Sequence, residues 1–104
     1  MLGPGLLESV YEAVLAYELE KRGLQVAKEV PLPVVYEDVC LDLGYRIDLI
    51  VNDCVLMELK AVEKLHPIHE AQLLTYLKLT GKRLGLLINF NTRLIKDGIK
   101  RMVL

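Results

Sequence analysis

Residues 45–60, YRIDLIVNDCVLMELK, decide the fold. They read as two β-strands joined by a tight turn, because two runs rich in Ile, Leu and Val flank Asn52-Asp53. A strand of a small core needs at least one apolar face. Yet Asp48 lies inside the first strand, and Glu58 and Lys60 close the second. Side chains alternate across a strand. That alternation puts Tyr45, Ile47, Leu49 and Val51 on one face, with Arg46, Asp48 and Ile50 on the other. It likewise separates Val55, Met57 and Leu59 from Cys54, Leu56, Glu58 and Lys60.

Register decides whether the polar sets meet. A two-residue turn pairs Val51 with Cys54 and sets Asp48 against Met57. A three-residue loop pairs Val51 with Val55, Asp48 with Glu58 and Arg46 with Lys60. A one-residue slip moves every side chain to the other face. An isolated carboxylate among apolar neighbours is costly, so the pattern predicts the odd loop, with a bulge-type turn at 52–54. Two carboxylates side by side repel. Lys60 or a divalent cation belongs with them, and hard oxygen ligands favour Mg²⁺ or Mn²⁺. A purely structural Asp–Lys or Glu–Lys pair is the competing explanation.

Outward from the hairpin, the chain opens on a helix. Pro4 suits a first helical position, Leu7, Val10, Tyr11, Val14 and Leu15 recur at helical spacing, and Gly23 is a helix stop. Residues 24–36 read as a strand that Pro31 and Pro33 confine to an edge or bulge. Residues 39–51 and 54–60 are further strands. HPIHEAQLLTYLKLTGK, residues 66–82, is a second helix that His66 caps and Gly81 ends. LGLLINF, residues 84–90, fits a strand buried on both faces, and IKRMVL at 99–104 suits an edge strand. The order helix, three strands, helix, strand predicts an α/β sandwich with a mixed sheet.

A length of 104 residues supports one domain, 1–104, with one core. The hydrophobic fraction of 53% and mean hydropathy of +0.33 are high for that size, and a homodimer surface is one reading of the excess. No apolar run approaches the roughly 20 residues a membrane helix needs, and MLGPGLLESVYE has no basic leader. The expectation is a cytoplasmic protein without membrane contact. Cys40 and Cys54 lack metal-site spacing and read as reduced small hydrophobes. Net charge is −1, but residues 1–58 carry 11 acids and 4 bases, and residues 59–104 carry 9 bases and 3 acids. Lys82, Arg83, Arg93, Lys96, Lys100 and Arg101 could follow a nucleic-acid backbone or simply be solvated.

Asp48 followed by Glu58-Leu59-Lys60 resembles the core motif of the PD-(D/E)XK nuclease superfamily. GLLESVY, residues 5–11, matches the Gly-x-x-Glu-x-x-Tyr signature of the small prokaryotic GxxExxY proteins, and ELKAVEKLHPIHEAQLLTYLKLTGKRLGLLINF is similar to that family's most recognisable block. The resemblance covers nearly the whole chain. It implies a restriction-endonuclease-like αβββαβ core with helices flanking a mixed sheet. It also implies a metal-dependent endo- or exonuclease acting on DNA in preference to RNA. Asp48 and Glu58 would bind Mg²⁺ or Mn²⁺ together with the Leu59 carbonyl, Glu8 would be the additional acid, and Lys60 would position the attacking water. Gln72 and Tyr76 match a second-helix Gln-x-x-x-Tyr. With His69 on the same stripe, and with Tyr11, they are candidate substrate-binding or supporting groups. The resemblance implies a further helical segment before the signature, and the expectation from a start at Met1-Leu2 is a chain without it. The alternative is a non-catalytic nuclease-like module that binds nucleic acid or protein.

Overall fold

The computed structural model describes residues 4–104, with side chains from Leu7 onward. The expectation of a missing helical segment before the signature lies outside the described residues. Helix α1, Pro4–Lys21, ends where Gly23 takes φ 86°. Gly23 N–H then reaches Glu20 O at 2.9 Å and Leu24 N–H reaches Leu19 O at 3.1 Å, a Schellman closure. Its buried side is Ala16 with the partly buried Leu15 and Leu19, while Val10, Val14 and Tyr17 face outward. The apolar spacing was correct for a helix but placed Val10 and Val14 on the wrong side.

The expected strand 24–36 is two strands, β1 (Val26–Pro31) and β2 (Val34–Tyr36). The expected strand 39–51 is also two, β3 (Val39–Leu41) and β4 (Arg46–Val51). The breaks have local causes. Pro33 cannot donate to a ladder. Gly44 adopts φ 78°, and its N–H donates to Asp42 Oδ1 at 3.0 Å, turning the chain. β2 and β3 pair only with each other, as a short ribbon beside the main sheet.

Strand β5 (Val55–Lys60), helix α2 (Pro67–Thr80), strand β6 (Leu84–Asn89) and strand β7 (Ile99–Val103) complete the chain. The main sheet runs β1-β4-β5-β6-β7. Every pairing in it is antiparallel except β5–β6, which α2 joins as a crossover. Ala16 packs with Leu49, Val51, Met57, Leu59 and Ile88 on the α1 side. Leu73, Tyr76 and Leu77 of α2 pack on Leu56, Ile50 and Leu87 on the other. β6 is therefore covered on both faces, as its apolar run indicates, and β7 is the edge strand.

The β4–β5 register pairs Val51 with Val55, Ile50 with Leu56 and Leu49 with Met57, which is the three-residue loop. Asn52 and Asp53 both adopt φ 52°, and Cys54 N–H closes the turn on Val51 O at 3.0 Å. Two features of the hairpin differ from simple alternation. Ile47 packs on the α2 side with Val30, whereas Leu49 packs on the α1 side. Face alternation therefore breaks at Asp48. The neighbouring strand is irregular at the same level. Glu29 sits at the register position opposite Asp48, between the pairs Lys28–Leu49 and Val30–Ile47, and has φ 48°. A left-handed residue inside a strand rotates the chain beyond it. Arg46 also does not pair with Lys60, because the β4–β5 ladder ends at Leu49–Met57. Arg46 lies opposite Pro31 and sits 3.8 Å from Asp42.

Both cysteines are free, and both are exposed rather than packed as small hydrophobes. Among the described residues, no helix is long and apolar enough to cross a membrane. Lys82 and Lys100 are engaged with Asp53 at 3.1 Å and Glu70 at 2.8 Å, which reduces what they can offer a phosphate backbone.

Candidate active site

Where the β4–β5 ladder stops, side chains take over its hydrogen bonds. Asp48 N–H donates to Glu58 Oε1 at 3.2 Å, and Leu59 N–H donates to Asp48 Oδ2 at 2.8 Å. The two carboxylates thus wedge between diverging strands. Among the described residues, neither Asp48 Oδ1 nor Glu58 Oε2 accepts a hydrogen bond, yet no buried polar side-chain atom lacks a partner. These leftover oxygens therefore meet an opening rather than closed core.

Electrostatics describe a site short of positive charge. Glu58 is buried, and its carboxyl is pushed up to about 8, first by burial and then by the Asp48 charge. Asp48 is also raised, chiefly by burial, while the Leu59 N–H and the Lys60 ammonium pull the other way. Glu12 of α1 is raised by partial burial and then by Glu29 and Asp48. Lys60 acts on both carboxylates through space, but among the described residues it forms no ion pair.

Glu8 reaches the site from α1, where its Oε1 accepts Ala61 N–H at 3.2 Å, directly after Lys60. Tyr11 is away from the carboxylates and stacks on Phe90, with centroids 4.4 Å apart and rings within 7° of parallel. It fixes α1 to the end of β6. On α2, Gln72 Nε2 donates to Tyr76 Oη at 2.8 Å, and the Tyr76 hydroxyl is raised chiefly by burial, with Glu58 and Asp48 adding to it. His69 has a structural task that the sequence reading gave to His66 alone. The two form a reciprocal cap, with His66 Nδ1 accepting Ile68 N–H and His69 Nδ1 accepting His66 N–H, each at 3.1 Å. Burial, then Lys60, lowers the His69 imidazole, which suits a neutral acceptor.

Asn89 is the residue the sequence reading missed. It is buried at the end of β6, where its Oδ1 accepts Val62 N–H at 3.0 Å and its Nδ2 donates to Val62 O at 2.9 Å. This pair of bonds continues the parallel ladder past Lys60 and holds the chain leaving the site. The signal was a lone amide inside LGLLINF.

The donor set suits a hard divalent cation. It offers two carboxylates with unused oxygens, both raised chiefly by burial, which a cation between them would offset. Among the described residues no three His, Cys, Asp or Glu side chains form a ready cluster. Backbone oxygen is a further donor type within reach of the pair. Leu59 directs its N–H toward Asp48, and the N–H and C=O of one strand residue share a side, so its carbonyl faces the same gap. No curated protein and no solved structure matches the chain. A family model does match, over residues 1–102, and with a mixed sheet between two helices and an acid pair followed by lysine, the chain belongs to the PD-(D/E)XK nuclease superfamily.

Proposed function

We propose that the protein is a metal-dependent nuclease of the GxxExxY branch that cleaves phosphodiester bonds of DNA in preference to RNA. The observation that supports this most is the hydrogen-bonded Asp48–Glu58 wedge, with Lys60 two residues on. Asp48, Glu58 and the Leu59 carbonyl would hold Mg²⁺ or Mn²⁺. Glu8, tied to Ala61, would close the site from α1 through bound water or directly. The cation would neutralise phosphate charge and acidify a water. The protein's own groups do the rest. Lys60 donates to the attacking water and the non-bridging phosphate oxygens. Gln72 orients the Tyr76 hydroxyl beside the reacting phosphate. His69 anchors the start of α2 rather than transferring a proton, and Tyr11 holds α1 on Phe90.

Calorimetric titration with Mn²⁺ tests the reading without a guess about substrate. Binding to the parent should vanish in Asp48→Asn and Glu58→Gln, and cleavage of DNA should vanish in those variants and in Lys60→Ala. Variants that cleave like the parent would show that this site is not the source of activity. Self-association, anticipated from the apolar surplus, has a surface in the outward Val10, Val14 and Tyr17, and sedimentation velocity would detect it.

A further inference from the structure

Beside Lys60 a groove of about 510 Å³ opens between the hairpin and α2. Its size falls within the range of about 300–1,000 Å³ typical of pockets for small organic groups. Lys60, His69, Gln72 and Thr75 supply polar atoms, and Tyr45, Ile68, Tyr76 and Leu79 supply apolar surface. Tyr45 is 43% exposed and Ile68 65% exposed, so both stand at the rim. Tyr76 is buried, and its ring centroid lies 6.1 Å from that of Tyr45 at a tilt of 53°. The groove and the carboxylates are contiguous. Lys60 belongs to both, and the Tyr76 hydroxyl feels the charges of Glu58 and Asp48.

The chemistry fits a flat group with apolar faces and polar edges. Tyr45 and the aliphatic rim offer contact to a face, while Gln72 and Thr75 offer partners to an edge. Lys60 then lies where the attached phosphate would enter. Resting on the nuclease reading above, we propose that this groove seats one unpaired nucleobase, so that the preferred substrate is a single-stranded or frayed strand. A base in a duplex must first unstack and unpair to enter such a groove, whereas one in a single strand need not.

Charge points the same way. Phosphate contacts dominate duplex binding and require many free cations. This chain has a net charge of −1, and Lys82 and Lys100 are already paired with acids. Stacking does not depend on net charge and suits any base.

Fluorescence titration of an oligonucleotide containing 2-aminopurine, in EDTA at pH 7, tests the assignment without cleavage. The single strand should bind at least about tenfold more tightly than the same sequence in a blunt duplex, with the probe quenched on binding. Tyr45→Ala should weaken single-strand binding by about tenfold and leave duplex binding unchanged, while Tyr45→Phe should bind like the parent. Equal affinity for duplex, or Tyr45→Ala binding the single strand like the parent, overturns the proposal. Mn²⁺ calorimetry on the parent separates the two readings. Normal Mn²⁺ uptake without strand preference overturns the groove assignment alone. Clear strand preference without Mn²⁺ uptake or cleavage supports the groove and overturns the nuclease reading.

Discussion

Asp48 and Glu58 are joined through backbone N–H groups rather than carboxylate to carboxylate. Glu58 accepts the Asp48 N–H at 3.2 Å, and Asp48 accepts the Leu59 N–H at 2.8 Å. Each acid is thus a structural part of the strand junction and a candidate ligand at once. Substitutions that shorten them conflate the two roles. Asp48→Ala should cost about 1–3 kcal/mol by leaving the Leu59 N–H without its acceptor, while Asp48→Asn should keep most of that stability. Urea melts of the two variants in EDTA decide it, and equal losses would mean the bond is idle.

The raised carboxyls make stability depend on pH in a direction opposite to the usual acid. Glu58 holds its proton up to about 8 in the folded chain, against an ordinary value of 4.5. Below 4.5 both states are protonated, and the favourable contribution is complete. As pH rises from 4.5 to about 8, the unfolded chain gives up a proton that the folded chain keeps, and stability falls by a few kcal/mol. Asp48 adds to the trend with the same sign. Thermal melts in EDTA between pH 5 and pH 9 should show the melting temperature falling across this window. Mn²⁺ should restore it at high pH, and Glu58→Gln should flatten the curve. A melting temperature that climbs with pH would contradict the buried-acid account.

Asn89 sustains the parallel ladder where the strands have run out of partners. Asn89→Ala removes its two bonds to Val62 together with an acceptor for Asn91 N–H at 3.2 Å. A loss of about 1 kcal/mol is expected, since the half-buried Val62 N–H loses its acceptor while Val62 O keeps Asn91 Nδ2 at 3.2 Å. Cleavage should drop further than stability explains, because Lys60 lies two residues before the clamp. Denaturation and turnover measured on the same preparation separate the effects. Unchanged turnover per folded molecule would limit Asn89 to a structural role.

Gly98 and Gly81 provide a controlled pair. A Cβ on Gly98 would run into the Asn89 carbonyl, which is backbone and cannot yield. Gly98→Ala should therefore destabilise by about 1–3 kcal/mol, as overpacking does. Gly81 has φ 74° but open space around it, so Gly81→Ala should cost only the left-handed backbone penalty of about 1–2 kcal/mol. Gly98→Ala alone should also impair the site, through the same Asn89. Matching activity in the two variants would argue against that link.

Glu29 occupies a backbone position that disfavours side chains. At φ 48°, Glu29→Gly should be neutral or stabilising by up to about 1 kcal/mol, whereas Glu29→Val should destabilise by more than that. Chemical denaturation ranks the three proteins. If Glu29→Gly proves the least stable, the Glu29 side chain rather than its backbone matters.

Much of this was legible in the chain because a hairpin's register obeys arithmetic. The cost of burying Asp48 alone among apolar residues follows from residue types, and it selects the loop at 52–54. The helices showed through Gly23, Gly81 and the His66 cap. Other features escaped for physical reasons. The face change at Asp48 coincides with a left-handed Glu29 on the adjacent strand, and nothing in the type of that residue announces such a backbone. The β2–β3 ribbon escaped because Val34-Val35-Tyr36 has the same local pattern in a projecting ribbon as in a central strand. Asn89 and His69 were visible as residue types, but their partners depend on a parallel pairing and a cap that only the fold brings together.

The parallel β5–β6 pairing also orders events in time. During synthesis, the hairpin that carries Asp48, Glu58 and Lys60 can close as soon as Lys60 has emerged, since its contacts are local. Its other flank must wait for α2 to be made and for β6 to swing back alongside. Until Asn89 arrives, Val62 is unclamped and Leu56 and Leu59 lack Leu87 and Ile88 as neighbours. Competence is thus a property of the finished chain, and a truncated product ending before β6 would carry the acids without the architecture that arms them.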